Sequence, residues 1–351
     1  MTVYSNYLFV VNVGSNSLSM FMINSLDATQ LTLLSVQPVN GWFPVSVTAN
    51  YLYACVLTGG NITGIRFFTY NSSGLFVVPW FDRIVTPSPT QSVPSNNFAG
   101  TMSKILFSAD NMALIVAYKN YSSSQPGNIL LYLLSNNSTM LGLAPVPTNL
   151  SQVIQPTSIT LMGTNGLLVT DPGANGILTM FYSSIFNTNG AIYNSILTPI
   201  NSTLSGILCS SAYSSKIGNY YVVGRAGVTT SIVELNLNWN NFNPVTVVQY
   251  YSLPNNAGAF EATVVNLGGT DYLYVLGTMA HTISGYQLNA AGNATANGIS
   301  IVQQGYTAVG IAAFVQTSSL SSVSSTVSTL ALAITIMFCL MSIVFCSPHN
   351  E

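Results

Sequence analysis

Six side chains in this 351-residue chain are of types that hold anions or move protons and lie at the ends of apolar runs. They are Lys104, Lys119, Asp171, Arg225, Glu261 and His281. The cations would hold an anion or a lactone, and Asp, Glu or His would serve as general acid or base. Whether they can act together depends on whether the fold brings those ends to one place. A plainer reading stands beside this one. Loops collect charge in any fold, Asp171-Pro172-Gly173 is an ordinary turn former, and His281 among Thr and Ser reads as a surface residue. Only three arginines exist, Arg66, Arg83 and Arg225, so an Arg-rich anion site is hard to assemble. The chain has no CxxC, HExxH, EF-hand, GxSxG or P-loop pattern, so neither a metal nor a cofactor is expected. GANG and NLGG read as hairpin turns. Trp42, Trp80 and Trp239 border loops, where they would stack on a sugar or an apolar ligand or pack into the core.

Composition narrows the class. Hydrophobic residues make up 49% and charged residues 4%, with a net charge of −2. Disorder is excluded by the apolar content, and nucleic-acid binding by six scattered basic residues. Ser, Thr and Asn fill the polar positions. They create N-x-[ST] sequons at Asn61, Asn71, Asn120, Asn136, Asn137, Asn149, Asn201 and Asn293. In a secretory protein, glycans there would supply the solubility that charge does not; chance alone also produces sequons in a chain so rich in these residues. Cys55 and Cys209 lie in different apolar runs and are expected as buried thiols, because a bridge needs Cα atoms within about 7 Å. Cys339 and Cys346 belong to the C-terminal tail.

The elements that must position these residues are strands. An apolar run, a Gly/Asn/Ser turn and a second apolar run recur from Tyr7, Tyr51, Met112, Leu167, Tyr220 and Tyr272, at spacings of 44 to 61 residues. That is the period of propeller blades. A further strand precedes each pair (FPVSVTA from Phe43, KILFSAD from Lys104), and another follows it (LTLLSV from Leu31, LFVVP from Leu75). Four strands per repeat make a blade. The expected class is therefore all-β, a β-propeller with six visible repeats. A sandwich would not require one repeated motif, and a transmembrane barrel would alternate strictly. In a propeller, the loops between second and third strands share a face with the entries to the innermost strands. Lys119, Asp171, Arg225 and His281 fall in such loops, and Lys104 and Glu261 at such entries, all on one rim. The last strand, from Val309, reads as an innermost strand with no outer strands after it; pairing it into the first blade would close the ring.

Both ends carry signals. Residues 1–316 read as the propeller, 317–329 as a Ser/Thr-rich spacer, 330–346 as an apolar tail and 347–351 as a polar end. The tail is either a GPI-attachment signal, with Ser318 or Ser319 as attachment residue, or a retained transmembrane helix at the lower length limit. The N-terminus lacks a basic region and a cleavage site and reads as a strand, so with a secretory tail the expectation is that sequence is missing ahead of Met1.

The segments NYLFVVNVGSNSLSMFMI, FPVSV…CVLTGGNITGIRFF, ILFSAD and LLVTDPG resemble the fungal lactonase-like propellers of the 3-carboxymuconate cyclase and 6-phosphogluconolactonase-like type. The resemblance runs from about Asn6 to Gln316 and implies a seven-bladed fold, with a signal peptide and one blade more than this chain carries. It places a family cysteine at Cys55 and a second at the position of Phe67. The family's channel His, Glu and Arg residues cannot be carried over position by position. Three functions compete: a non-catalytic cell-surface glycoprotein that binds a small molecule or carbohydrate, an enzyme opening or closing a lactone, and a chain inactive for want of a blade. The attachment is to a membrane; oligomeric state is left open.

Overall fold

A computed structural model describes residues 1–59, 63–85, 102–119, 127–134, 146–147, 152–182, 192–200, 208–224, 231–237, 245–253, 259–277, 282–302 and 310–315. Arg225, His281, Trp239, Cys339, Cys346, Ser318, Ser319, the tail and the sequons at Asn61, Asn120, Asn136, Asn137, Asn149 and Asn201 lie outside these residues.

The apolar runs form six antiparallel sheets, each an uncrossed meander. Sheet 1 is β1 (Thr2–Tyr4), β2 (Tyr7–Asn12), β3 (Ser17–Ile23) and β4 (Leu31–Pro38). Sheet 2 is β5 (Pro44–Ala49), β6 (Tyr53–Thr58), β7 (Gly64–Asn71) and β8 (Gly74–Val77), with β9 (Arg83–Ile84) also paired to β7. Sheet 3 is β10 (Met102–Phe107), β11 (Ala113–Tyr118), β12 (Asn128–Leu133) and β13 (Val146–Pro147). Sheet 4 is β14 (Ser158–Met162), β15 (Gly166–Asp171), β16 (Gly176–Tyr182) and β17 (Ile192–Pro199). Sheet 5 is β18 (Leu208–Tyr213), β19 (Asn219–Gly224), β20 (Ser231–Asn236) and β21 (Thr246–Ser252). Sheet 6 is β22 (Ala259–Leu267), β23 (Thr270–Gly277), β24 (Thr282–Ala290) and β25 (Asn293–Val302). One 3-10 turn, Pro79–Phe81, is the helical element of the described residues. None of the described helices is long and apolar enough to cross a membrane.

The first strand of each sheet touches the first strand of the next, so these strands line a central channel and the sheets radiate as blades of a β-propeller. Second strands are buried on both faces: every residue of β11, β15 and β19 is buried. This explains why the runs are continuously apolar, since each face packs a neighbouring blade. Ile115, Leu131, Leu167, Val169 and Met180, for example, join sheets 3 and 4. Fully burying such a side chain contributes about 1.5–3 kcal/mol. Fourth strands face solvent and mix polar with apolar residues, as in β21.

Polar side chains fasten neighbouring inner strands. Ser46 and Thr48 accept from the amides of Ile105 and Phe107, at 3.2 and 3.4 Å. Thr157 and Thr160 donate to the carbonyls of Leu208 and Ser211, at 2.7 and 2.9 Å. A register shift recurs near the start of β5, β10, β18 and β22, after Pro44, Met102, Leu208 and Ala259. Such bulges re-aim the next side chains at the channel rim.

The C-terminal expectation is met in place but not in pairing. Residues 310–315 run between sheet 6 and sheet 1 without joining either as a hydrogen-bonded strand. Ile311, Ala313 and Val315 pack on sheet 6, whereas Ala312 and Phe314 pack on sheet 1. The period of two is that of an extended strand. Among the described residues the ring therefore closes through a wedge and not through a shared sheet, with its side chains packed on apolar faces on both sides.

Candidate functional site at the channel entrance

The innermost strands all start on one face, which the crossovers and the loops between second and third strands share. Lys104 and Glu261 each follow a bulge at the start of β10 and β22. Their sheets are separated by sheets 4 and 5 on one side and by sheets 1, 2 and the wedge on the other. Lys104 Nζ nevertheless donates to Glu261 Oε1 at 2.9 Å, reaching across the opening. The side chains are 31% and 16% exposed.

Glu261 is a junction. Its Oε2 accepts from the amide of Ile311 at 3.2 Å, and the backbone of Gly310 and the amine of Met1 lie beside it. Burial works against its charge. The ammonium groups of Lys104 and Met1, the Lys104 hydrogen bond and the Ile311 amide outweigh that and hold the carboxyl below its usual value. A carboxylate so held is a weak general base near neutral pH.

The other described candidates do not join this pair. Asp171, at the end of β15, is fully buried. Its carboxylate accepts from the amides of Ile154, Gln155 and Ala174 at 2.7, 2.8 and 3.0 Å. It thus ties the crossover into sheet 4 to the turn after β15. Burial pushes its carboxyl up, against the pull of those amides. Lys119, after β11, is 5% exposed. Trp42 and Trp80 are exposed, at 58% and 72%, so neither packs the core. Cys55 is buried and Cys209 half-buried, each a thiol in a different sheet. Cys209 departs from the expected full burial because it occupies the bulge of β18. Phe67 stands directly opposite Cys55 in the β6–β7 register.

Sequence reading missed the polar residues that hold blades together, because their partners are distant in the chain. Glu234, fully buried in β20, accepts from Asn219 Nδ2 at 2.6 Å, Tyr251 Oη at 2.5 Å and the Gly292 amide at 3.1 Å. Asp271 accepts from Ser214 Oγ at 2.6 Å and the Lys216 amide at 3.0 Å, fixing sheet 5 to sheet 6. Arg66 bonds the carbonyl of Asn40 and lies 3.8 Å from Asp82, whose other oxygen accepts from the Phe67 amide. Among the described residues no cluster of His, Cys, Asp and Glu could hold a metal ion.

No protein-family model matches the chain, and no curated protein matches it in sequence. Solved structures do match in fold. The periplasmic gluconolactonase PpgL of Pseudomonas aeruginosa superposes with a TM-score of 0.65 at 13% identity, over 87% of this chain and 85% of that one. A Bacteroides uniformis protein put forward as a 6-phosphogluconolactonase gives 0.61 at 16% identity, over 84% and 81%. The virginiamycin B lyase of Staphylococcus aureus gives 0.56 at 14%, over 89% and 86%. At such identities the likeness is one of architecture: this chain has the lactonase-like β-propeller fold.

Proposed function

We propose that this chain is a glycosylated, membrane-attached propeller of the cell surface that binds a neutral small molecule or carbohydrate and does not catalyse. The observation that carries this reading is the fate of the carboxylates among the described residues. Asp27, Asp82, Asp110, Asp171, Asp271, Glu234 and Glu261 all accept hydrogen bonds from their own chain. The one at the channel entrance, Glu261, is neutralised by Lys104. Acid–base catalysis needs a group poised near the working pH with a free lone pair, and these groups are committed to the fold. Exposure of Asn71 and Asn293 at hairpins supports glycan attachment. The apolar tail at 330–346 supports membrane attachment by a GPI signal or a spanning helix. Release of the protein from cells by a phosphoinositide-specific phospholipase distinguishes the two anchors, and its presence in the soluble fraction without treatment overturns attachment.

A second reading is favoured by the channel pair alone. Lys104 could polarise a lactone carbonyl while Glu261 activates water, if substrate parted the pair. The gluconolactonase name of a fold relative gives this chemistry its substrate class. Hydrolysis of gluconolactone or 6-phosphogluconolactone by the purified chain, lost in Glu261→Gln, would establish it.

A further inference from the structure

An asparagine followed by glycine is open to attack from its own backbone. The glycine nitrogen can reach the asparagine side-chain carbon, and no Cβ stands in the way. Four such pairs lie among the described residues: Asn40-Gly41, Asn165-Gly166, Asn175-Gly176 and Asn297-Gly298. Three of them are held by their sheets. Gly166 and Gly176 are registered residues of β15 and β16, opposite Met162 and Asp171. Asn175 is fixed at φ 52°, its amide donating to the Pro172 carbonyl and its own carbonyl accepting from the Ile200 amide. The Asn297 side chain hydrogen-bonds Tyr274 and stands over Gly285.

The fourth pair is placed differently. Asn40 and Gly41 lie in the crossover from β4 to β5, outside any strand. Asn40 is exposed and Gly41 half-buried, so the carboxamide is free of packing and solvent base is at hand. The fold reserves position 41 for glycine: its φ is 152°, and a Cβ there would lie 3.0 Å from Thr58 Oγ1. The carbonyl of Asn40 accepts from Arg66 Nε. Arg66 is 5% exposed, and its Nε lies 3.8 Å from Asp82 Oδ2, so the guanidinium is fixed from both sides. That bond bears on the chemistry. When the Gly41 N–H loses its proton, the charge spreads to the Asn40 oxygen, since both atoms belong to one conjugated peptide group. A guanidinium already seated on that oxygen stabilises the charge without rearrangement, as the donors of an oxyanion hole do.

We propose that Asn40 is a site of self-catalysed deamidation, with Arg66 activating the Asn40–Gly41 peptide group. Solvent base takes the Gly41 proton and the nitrogen attacks Asn40 Cγ. The Cγ–Nδ2 bond breaks, and ammonia leaves with a proton from solvent. Water then adds to either carbonyl of the five-membered imide, which opens to aspartate or isoaspartate. Asparagine and water thus become a carboxylic acid and ammonia. The product places a carboxylate in the crossover between sheets 1 and 2, and its isoaspartate form lengthens that backbone by one carbon. The reaction requires neither the ligand nor the anchor proposed above.

The test incubates the full-length chain in mildly alkaline buffer and follows each pair by peptide mapping and mass spectrometry, which reads the gain from amide to acid. Labelling by a protein isoaspartyl methyltransferase reports the isoaspartate. Conversion at Asn40 is expected to be roughly tenfold or more faster in the folded chain than in the same chain in guanidinium chloride, the effect of a donor placed on the developing charge. Asn165, Asn175 and Asn297 are expected to convert more slowly folded than unfolded. Arg66→Gln should bring the folded Asn40 rate down to the unfolded one while Asn165 stays protected, which reports that the variant is folded. Asn40 conversion no faster folded than unfolded overturns the proposal, and so does an undiminished rate in folded Arg66→Gln. Should that variant not fold, the two wild-type rates decide alone.

Discussion

At the residue scale, the scarcity of charge makes each charged group's placement informative. Chain position put Lys104 and Glu261 on one rim with four other residues, and the fold pairs these two across the channel. Because the folded carboxyl is held below its usual value of 4.5, the pair contributes stability above that pH and loses it as pH falls through the lowered value. Glu261→Gln should therefore lower stability by about 1–2 kcal/mol at neutral pH, between exposed and buried pairs in worth. The difference from wild type, read by urea denaturation, should shrink steadily below about pH 4.5. Asp171 was legible as a charged loop residue but not as a fastener, since the amides it serves sit at Ile154 and Gln155, far along the chain. Asp171→Ala orphans these and the Ala174 amide, and should cost about 3 kcal/mol or more in the same measurement.

At the element scale, the strands were readable because blade interiors demand apolar runs on both faces, as in β11, β15 and β19. The repeat spacing gave the sheet count. What stayed hidden was the bulge near the start of four inner strands. No residue pattern marks it, because Pro44, Met102, Leu208 and Ala259 share no chemistry. Turn glycines were legible as turns, but some are constrained by contact and not by φ. A methyl on Gly176 would lie 2.4 Å from the carbonyl oxygen of Thr198, in the paired strand β17. Backbone within a sheet cannot yield as a side-chain tip can. Gly176→Ala should cost about 1–3 kcal/mol, and thermal unfolding of the variant measures it.

At the scale of the whole molecule, six sheets and a single wedge strand make up the described ring. The wedge was legible from VGIAAFVQT as an innermost strand, while its failure to pair with sheet 1 was not, because register depends on where the neighbouring edges lie. Of the proposed glycan sites, the described residues include Asn71 and Asn293, both exposed. The central proposal is that this propeller binds without catalysing, with Lys104 and Glu261 forming a structural ion pair at the channel entrance. Its most direct test is the rate of hydrolysis of a lactone panel by the purified full-length chain and by Glu261→Gln, followed by pH-stat. Both proteins are predicted to match buffer alone. Turnover by the wild type that falls roughly a hundredfold or more in Glu261→Gln, the loss expected for a general base, would contradict it.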